Sequence, residues 1–204
     1  MSILNVLMTP DRAVLAVDTL AQDAVSGELS EGAKLLLIPQ HNIVVAGRGS
    51  GQFLLRVYHL GLEASFRRGF RIEQLMREVG PVMDQLWPHY IQAARYAGID
   101  INQLQSEIVV VGWSKAQERL VGTAYAKSAA DQPARVAELV GGIASPGEPL
   151  RGTPDSFQVE AVLAAGRRQA EYLNAQEGRV VAGGRLIAAF LQRGEAVVKD
   201  LGTI

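Results

Sequence analysis

Cysteine is missing altogether from the 204 residues, and with it go disulfides, thiolate nucleophiles and cysteine-held zinc. Histidine is scarce. His41, His59 and His89 are the only three, and they stand in no H-E-x-x-H or similar spacing, so a histidine-rich metal site is not expected. Neither sign of charge is in excess. Twenty basic and 21 acidic side chains leave a formal charge of −1, which supplies no electrostatic reason to expect nucleic acid or an anionic membrane as a partner. Long apolar runs are lacking too. None approaches the roughly 18 residues that cross a bilayer. Asn5, Thr9, Pro10, Asp11 and Arg12 break up what would be the apolar stretch of a secretion signal. The expected location is therefore the cytoplasm.

What remains is ordinary globular composition, 48% hydrophobic and 20% charged. No repeat, linker or low-complexity stretch divides the chain, so one domain is expected over residues 1–204. Short apolar runs come in adjacent pairs joined by turns: 3–7 with 13–17, 34–39 with 42–46, 106–113 with 118–126, and 185–192 with 195–199. Helical periodicity covers about 52–68, 72–97 and 157–173, with Pro81 and Pro88 expected to kink or divide the second helix. The Gly- and Pro-rich stretch 141–154 reads as a loop. Hairpin-paired strands make antiparallel sheets. Two such sheets with amphipathic helices predict an α+β fold, a four-layer αββα sandwich of two antiparallel sheets flanked by helices.

The apolar strand pattern begins directly after Ser2. Removal of the initiator Met, normal before a small residue, would give Ser2 a free α-amine beside its hydroxyl. An α-amine has an ordinary pKa near ~7.7–8.0 and can act as a base at neutral pH. A hydroxyl is a weak nucleophile until a base stands beside it. Such a centre also needs a cation and a carboxylate to hold it. Asp18 ends the strand that pairs with the first, and Lys34 opens the next hairpin; Ser2, Asp18 and Lys34 each stand sixteen residues from the last. After the following strand comes GRGSG, residues 47–51, whose N–H groups at a helix start suit an oxyanion. A nucleotide site is the weaker reading there, because no Lys-Ser or Lys-Thr completes a P-loop.

The order Ser2, AVLAVD ending at Asp18, Lys34 in AKLLLI and then IVVAGRGSG resembles the opening of proteasome β-type subunits, the group that includes the bacterial HslV peptidases. The resemblance implies an N-terminal nucleophile hydrolase fold and a peptidase. Ser2 would attack the peptide carbonyl, and its α-amine, through water, would carry the proton. Lys34 would stabilise the charged states, Asp18 would hold Lys34, and the Gly47 N–H would meet the oxyanion. It implies no metal or organic cofactor. It also implies a homo-oligomer of stacked rings of six or seven subunits, peptide or unfolded-protein substrates, and an AAA+ unfoldase as a possible partner. Apolar residues on the long helices, among them Phe53, Leu60, Leu75, Met76, Met83, Leu86, Trp87 and Tyr90, point the same way if one domain cannot bury them all. The chain departs from the family in three places: Ser instead of Thr as nucleophile, N-A-Q-E-G (Asn174, Glu177) where the family often has Asp and Ser, and VGGIASPGE where it has Gly-Ser-Gly. A silent ring-forming scaffold and a hydrolase of small amides are the other two readings.

Overall fold

A computed structural model describes residues 2–101, 104–150 and 156–204. Its strands are β1 (Leu4–Met8), β2 (Arg12–Asp18), β3 (Leu20–Gln22), β4 (Leu29–Glu31), β5 (Leu35–Ile38), β6 (Ile43–Gly49), β7 (Ser106–Ser114), β8 (Arg119–Lys127), β9 (Arg135–Glu138), β10 (Gly141–Ser145), β11 (Arg185–Gln192) and β12 (Glu195–Thr203). Its helices are α1 (Gly51–Ser65), α2 (Ile72–Tyr96) and α3 (Val159–Glu177). All strand pairings are antiparallel.

The expected four-layer sandwich of two sheets needs correction. The strands of the described residues form three sheets: β10-β1-β2-β11-β12, a separate ribbon β3-β4, and β5-β6-β7-β8-β9. The chain is a mixed α/β molecule with three helices among the described residues. The missed strands have a common physical reason. β3 and β4 are only three residues each, β4 and β9 are exposed along their whole length, and β10 begins with two glycines. None shows the apolar alternation that marks a half-buried strand, so backbone pairing alone defines them. Of the stretch read as a loop, 141–145 is a strand, and 151–154 lies outside the described residues.

Alternation along β2 decides what packs where. Ala13, Leu15 and Val17 join Leu4, Val6, Val44, Ala46, Val109 and Val111 in one apolar cluster shared by the two five-stranded sheets. Val14 and Ala16 point the other way, into a cluster with Val162 of α3, Leu186 and Ala188. On the second large sheet, Val45, Ile108 and Val110 pack with Phe53, Val57, Leu75, Val79, Met83 and Trp87 of α1 and α2.

Helix α2 is continuous through both prolines. Leu75, Val79, Met83 and Trp87 recur every four residues and are all buried, so one unbroken stripe faces the sheet. Pro81 and Pro88 sit on the exposed side, where the lost hydrogen bonds meet water. The same packing removes the apolar-surface argument for assembly. Phe53, Leu75, Met83 and Trp87 are core residues of the single chain, and Met76, Leu86 and Tyr90 lean on the same cluster. Phe53, Trp87 and Tyr90 pack as mutual ring contacts with centroids 5.2–5.3 Å apart.

Pro88→Ala should stabilise the protein. Proline costs ~3 kcal/mol against alanine inside a helix, and the freer unfolded chain returns about 1 kcal/mol of that. A rise of about 2 kcal/mol at most in the urea-unfolding free energy is expected. A fall would mean that the proline shapes the helix for its packing.

Candidate active site

Asp18 closes β2 and is wholly buried. A buried carboxylate needs donors, and three converge on it. Its Oδ1 accepts the Ile3 N–H at 2.9 Å and the Lys34 ammonium at 2.8 Å. Its Oδ2 accepts the Gly183 N–H at 3.3 Å. Lys34 Nζ also donates to the Leu20 carbonyl, at the start of the β3-β4 ribbon. The ribbon is tied to the 183–185 segment by backbone bonds from Thr19 to Arg185 and from Leu20 to Gly183. One carboxylate thus gathers the chain start, the ribbon and the segment before β11.

Lys34 is 8% exposed. Burial pushes its pKa below the ordinary 10.5, partly opposed by Asp18, while the charge of Arg48 pushes it down further. Ser2 is buried and precedes Ile3 directly, so it stands one peptide bond from an N–H that shares Asp18 Oδ1 with Lys34. Its hydroxyl is engaged by no other described residue. The removal of Met1 concerns a position outside the described residues.

Gly47 is placed differently from its expected role. Its N–H donates to the Lys34 carbonyl at 2.9 Å, continuing the β5–β6 ladder, and is therefore occupied. Its glycine character has a steric reason: a Cβ there would lie 2.8 Å from the Glu107 carbonyl oxygen. At Gly49, with φ +99°, a Cβ would lie 2.1 Å from the Gln105 carbonyl oxygen. Ser50 caps α1, its hydroxyl accepting the Phe53 N–H at 3.3 Å. The GRGSG run is thus explained by sheet contact and helix capping.

Two of the departures from the family pattern have structural partners. Asn174 of α3 accepts the N–H groups of Val181 and Ala182 at 2.8 and 3.1 Å and donates to the Ala182 carbonyl at 3.0 Å. It braces the segment whose next residue, Gly183, donates to Asp18. Glu177 is exposed at the end of α3. In VGGIASPGE, β10 pairs with β1 and sets Ser145 opposite Leu4. Arg48 Nη1 donates to Ser145 Oγ at 2.6 Å, and Ser145 Oγ donates to Glu107 at 2.6 Å. Arg48, Glu107, Ser145, Leu20 and Gly183 escaped sequence reasoning. The available signal for the first was a charged residue alternating with Val44 and Ala46 in an apolar strand.

No protein-family model matches this chain, and no curated protein is significantly similar to it. Solved structures are. Anbu from Hyphomicrobium sp. strain MC1 superposes with a TM-score of 0.62 at 14% identity, over 98% of this chain and 87% of that one. Its Gly-1 mutant gives 0.64 at 13% identity, over 99% and 88%. Anbu from Yersinia bercovieri, described as an ancestral beta-subunit, gives 0.66 at 10% identity, over 99% and 87%. The chain shares the fold of Anbu. This corrects the HslV-like resemblance: the likeness in three dimensions is to Anbu. Identities this low establish the fold.

Lys34→Met should cost about 3–5 kcal/mol of stability at neutral pH, because it strands a buried carboxylate. The pH dependence has a definite sign. From the lowered pKa of Lys34 up to 10.5, the unfolded chain holds the proton that the folded chain has lost. The Lys34 contribution to folding therefore becomes more favourable as pH rises through that window. Denaturant unfolding of both proteins across the alkaline range would check it: the stability gap should widen toward high pH.

Proposed function

We propose that this chain is a subunit of a proteasome-like, self-compartmentalising peptidase. Its nucleophile is the Ser2 hydroxyl, freed with its α-amine when Met1 is removed. The observation that supports the reading is the convergence of the Ile3 N–H, one peptide bond after Ser2, and the Lys34 ammonium on Asp18 Oδ1. The Anbu fold supports the proteasome-like part.

Ser2 Oγ bonds to the carbonyl carbon of a peptide, and its proton passes to the α-amine, directly or through water. Lys34, buried with a lowered pKa, favours the deprotonated forms of its neighbours by its charge. Asp18 fixes Lys34 and the strand start together. Collapse of the tetrahedral intermediate expels the amine with the returned proton, and water then hydrolyses the ester on Ser2. These steps require no metal or organic cofactor. Stacked rings would confine the sites, admitting peptides or unfolded chains with the help of an unfoldase. A cytoplasmic location suits such substrates. No helix of the described residues is long and apolar enough to cross a membrane.

A peptide epoxyketone, which bonds the hydroxyl and the amine of one N-terminal residue, should add once per chain and lodge on Ser2. Ser2→Ala should abolish both adduct and turnover while keeping the same melting temperature. Wild-type protein carrying Met1 on every molecule and taking up no epoxyketone would favour the silent scaffold. Light scattering coupled to size exclusion should give a mass many times the 21.9 kDa chain; a monomer at micromolar concentration would remove the ring.

A further inference from the structure

The proposed hydrolysis places negative charge on the substrate carbonyl oxygen, and Gly47, the expected donor to it, has its N–H committed to the Lys34 carbonyl at 2.9 Å. The site needs another donor. Alternation identifies the side chains that face the space between the two large sheets. On β6, Val44 and Ala46 face it, so Arg48 does as well. On β7, Val109 and Val111 face it, so Glu107 does as well. On β10, Ser145 stands opposite Leu4, which is in the same cluster, and Ser2 lies two residues before Leu4.

Arg48 is held in this space. Its Nη1 donates to Ser145 Oγ at 2.6 Å, and that hydroxyl donates in turn to Glu107 Oε2 at 2.6 Å. The serine hydroxyl joins β10 of one sheet to β6 and β7 of the other and fixes the guanidinium laterally. A guanidinium carries five N–H donors. One is used, and no other described residue engages the rest. Arg48 is half-buried, so water solvates it incompletely. It is also close enough to Lys34 for its charge to act there.

We propose that Arg48, clamped by Ser145 and Glu107, is the catalytic residue that stabilises the oxyanion in place of a Gly47 N–H. The inference rests on the Ser2 hydrolase reading. As Ser2 Oγ bonds to the carbonyl carbon and its proton moves to the α-amine, the C=O π pair moves onto oxygen. The free guanidinium donors meet that charge. Glu107 and Asp18 balance Arg48 and Lys34, so the step adds one new pair of charges, the ammonium formed at the α-amine and the oxyanion, and the guanidinium is there to meet the second. Preorganised donors act most strongly where charge develops, which makes their signature a loss in kcat with substrate binding retained.

The test uses the assembled full-length protein, a fluorogenic peptide, a peptide boronate of the same sequence and its unreactive amide. The boronate becomes a tetrahedral anion on Ser2; the amide does not. Arg48→Gln should lower kcat by about 10²–10³-fold, as loss of one such donor does, with KM changed less than threefold. Boronate affinity should fall in parallel while amide affinity holds. Arg48→Lys keeps the charge without the planar fork and should lose less; Ser145→Ala, which only loosens the clamp, should lose least. A kcat within threefold of wild type in Arg48→Gln would overturn the proposal and leave a backbone donor, such as the Gly49 N–H, for the role. Equal loss of boronate and amide binding would overturn it in favour of a structural clamp. A wild type that neither turns over peptide nor takes up boronate would instead overturn the hydrolase reading, and this proposal with it.

Discussion

The Asp18 carboxylate is the constraint on which the rest depends. A fully buried charge must be met by donors. Here they come from Ile3 at the chain start, Lys34 before β5 and Gly183 before β11. None of these three segments lies within a long regular element, and each would otherwise be free to fray. One carboxylate orders them together, because leaving any of the donors unpaired in the interior costs more than the ordering does. Fold and site are therefore one problem at this end of the molecule: what fixes the strand start also fixes the residue before it.

The neighbouring shell extends this arrangement outward. Asn174 holds Val181 and Ala182, so that Gly183 points its N–H at Asp18. Gln169 of the same helix is wholly buried; it accepts from Asn5 of β1 and donates to the Pro146 carbonyl at 2.9 Å, next to Ser145. Helix α3 thus reaches the site through two amide side chains. One braces the segment before β11, and the other ties β1 to the end of β10. Amides suit the task because each both donates and accepts, satisfying backbone groups without adding charge beside Lys34.

Much of this was legible in the chain. Hydrophobic alternation located eight strands, β1, β2, β5, β6, β7, β8, β11 and β12, to within a few residues, and helical periodicity located all three α-helices of the described residues, because both signals come from burial of one face. The sixteen-residue spacing singled out Asp18 and Lys34, which the structure brings into contact. What stayed hidden did so for physical reasons. β3, β4 and β9 are defined by backbone pairing, with little side-chain burial to leave a mark in the sequence. The prolines of α2 read as breaks because propensity is local, whereas the stripe from Leu75 to Trp87 acts over the whole helix. Arg48 and Ser145 are 97 residues apart, and Glu107 meets them only because β7 pairs with β6.

Gly47 illustrates how a motif and its geometry can separate. A glycine at the end of β6 is required whatever the chemistry, since any Cβ would strike the Glu107 carbonyl. Its presence therefore says nothing about whether its N–H is free, and the β5–β6 ladder takes that N–H. Two residues on, Gly49 is required for a similar reason against Gln105. The residue between them is under no such restriction, and its side chain faces the space between the sheets. A strand that presses its backbone against a neighbour on both sides of one position leaves that position's side chain as the freest element. Arg48 occupies it, and this is why a site whose backbone is so tightly specified can acquire a side-chain cation.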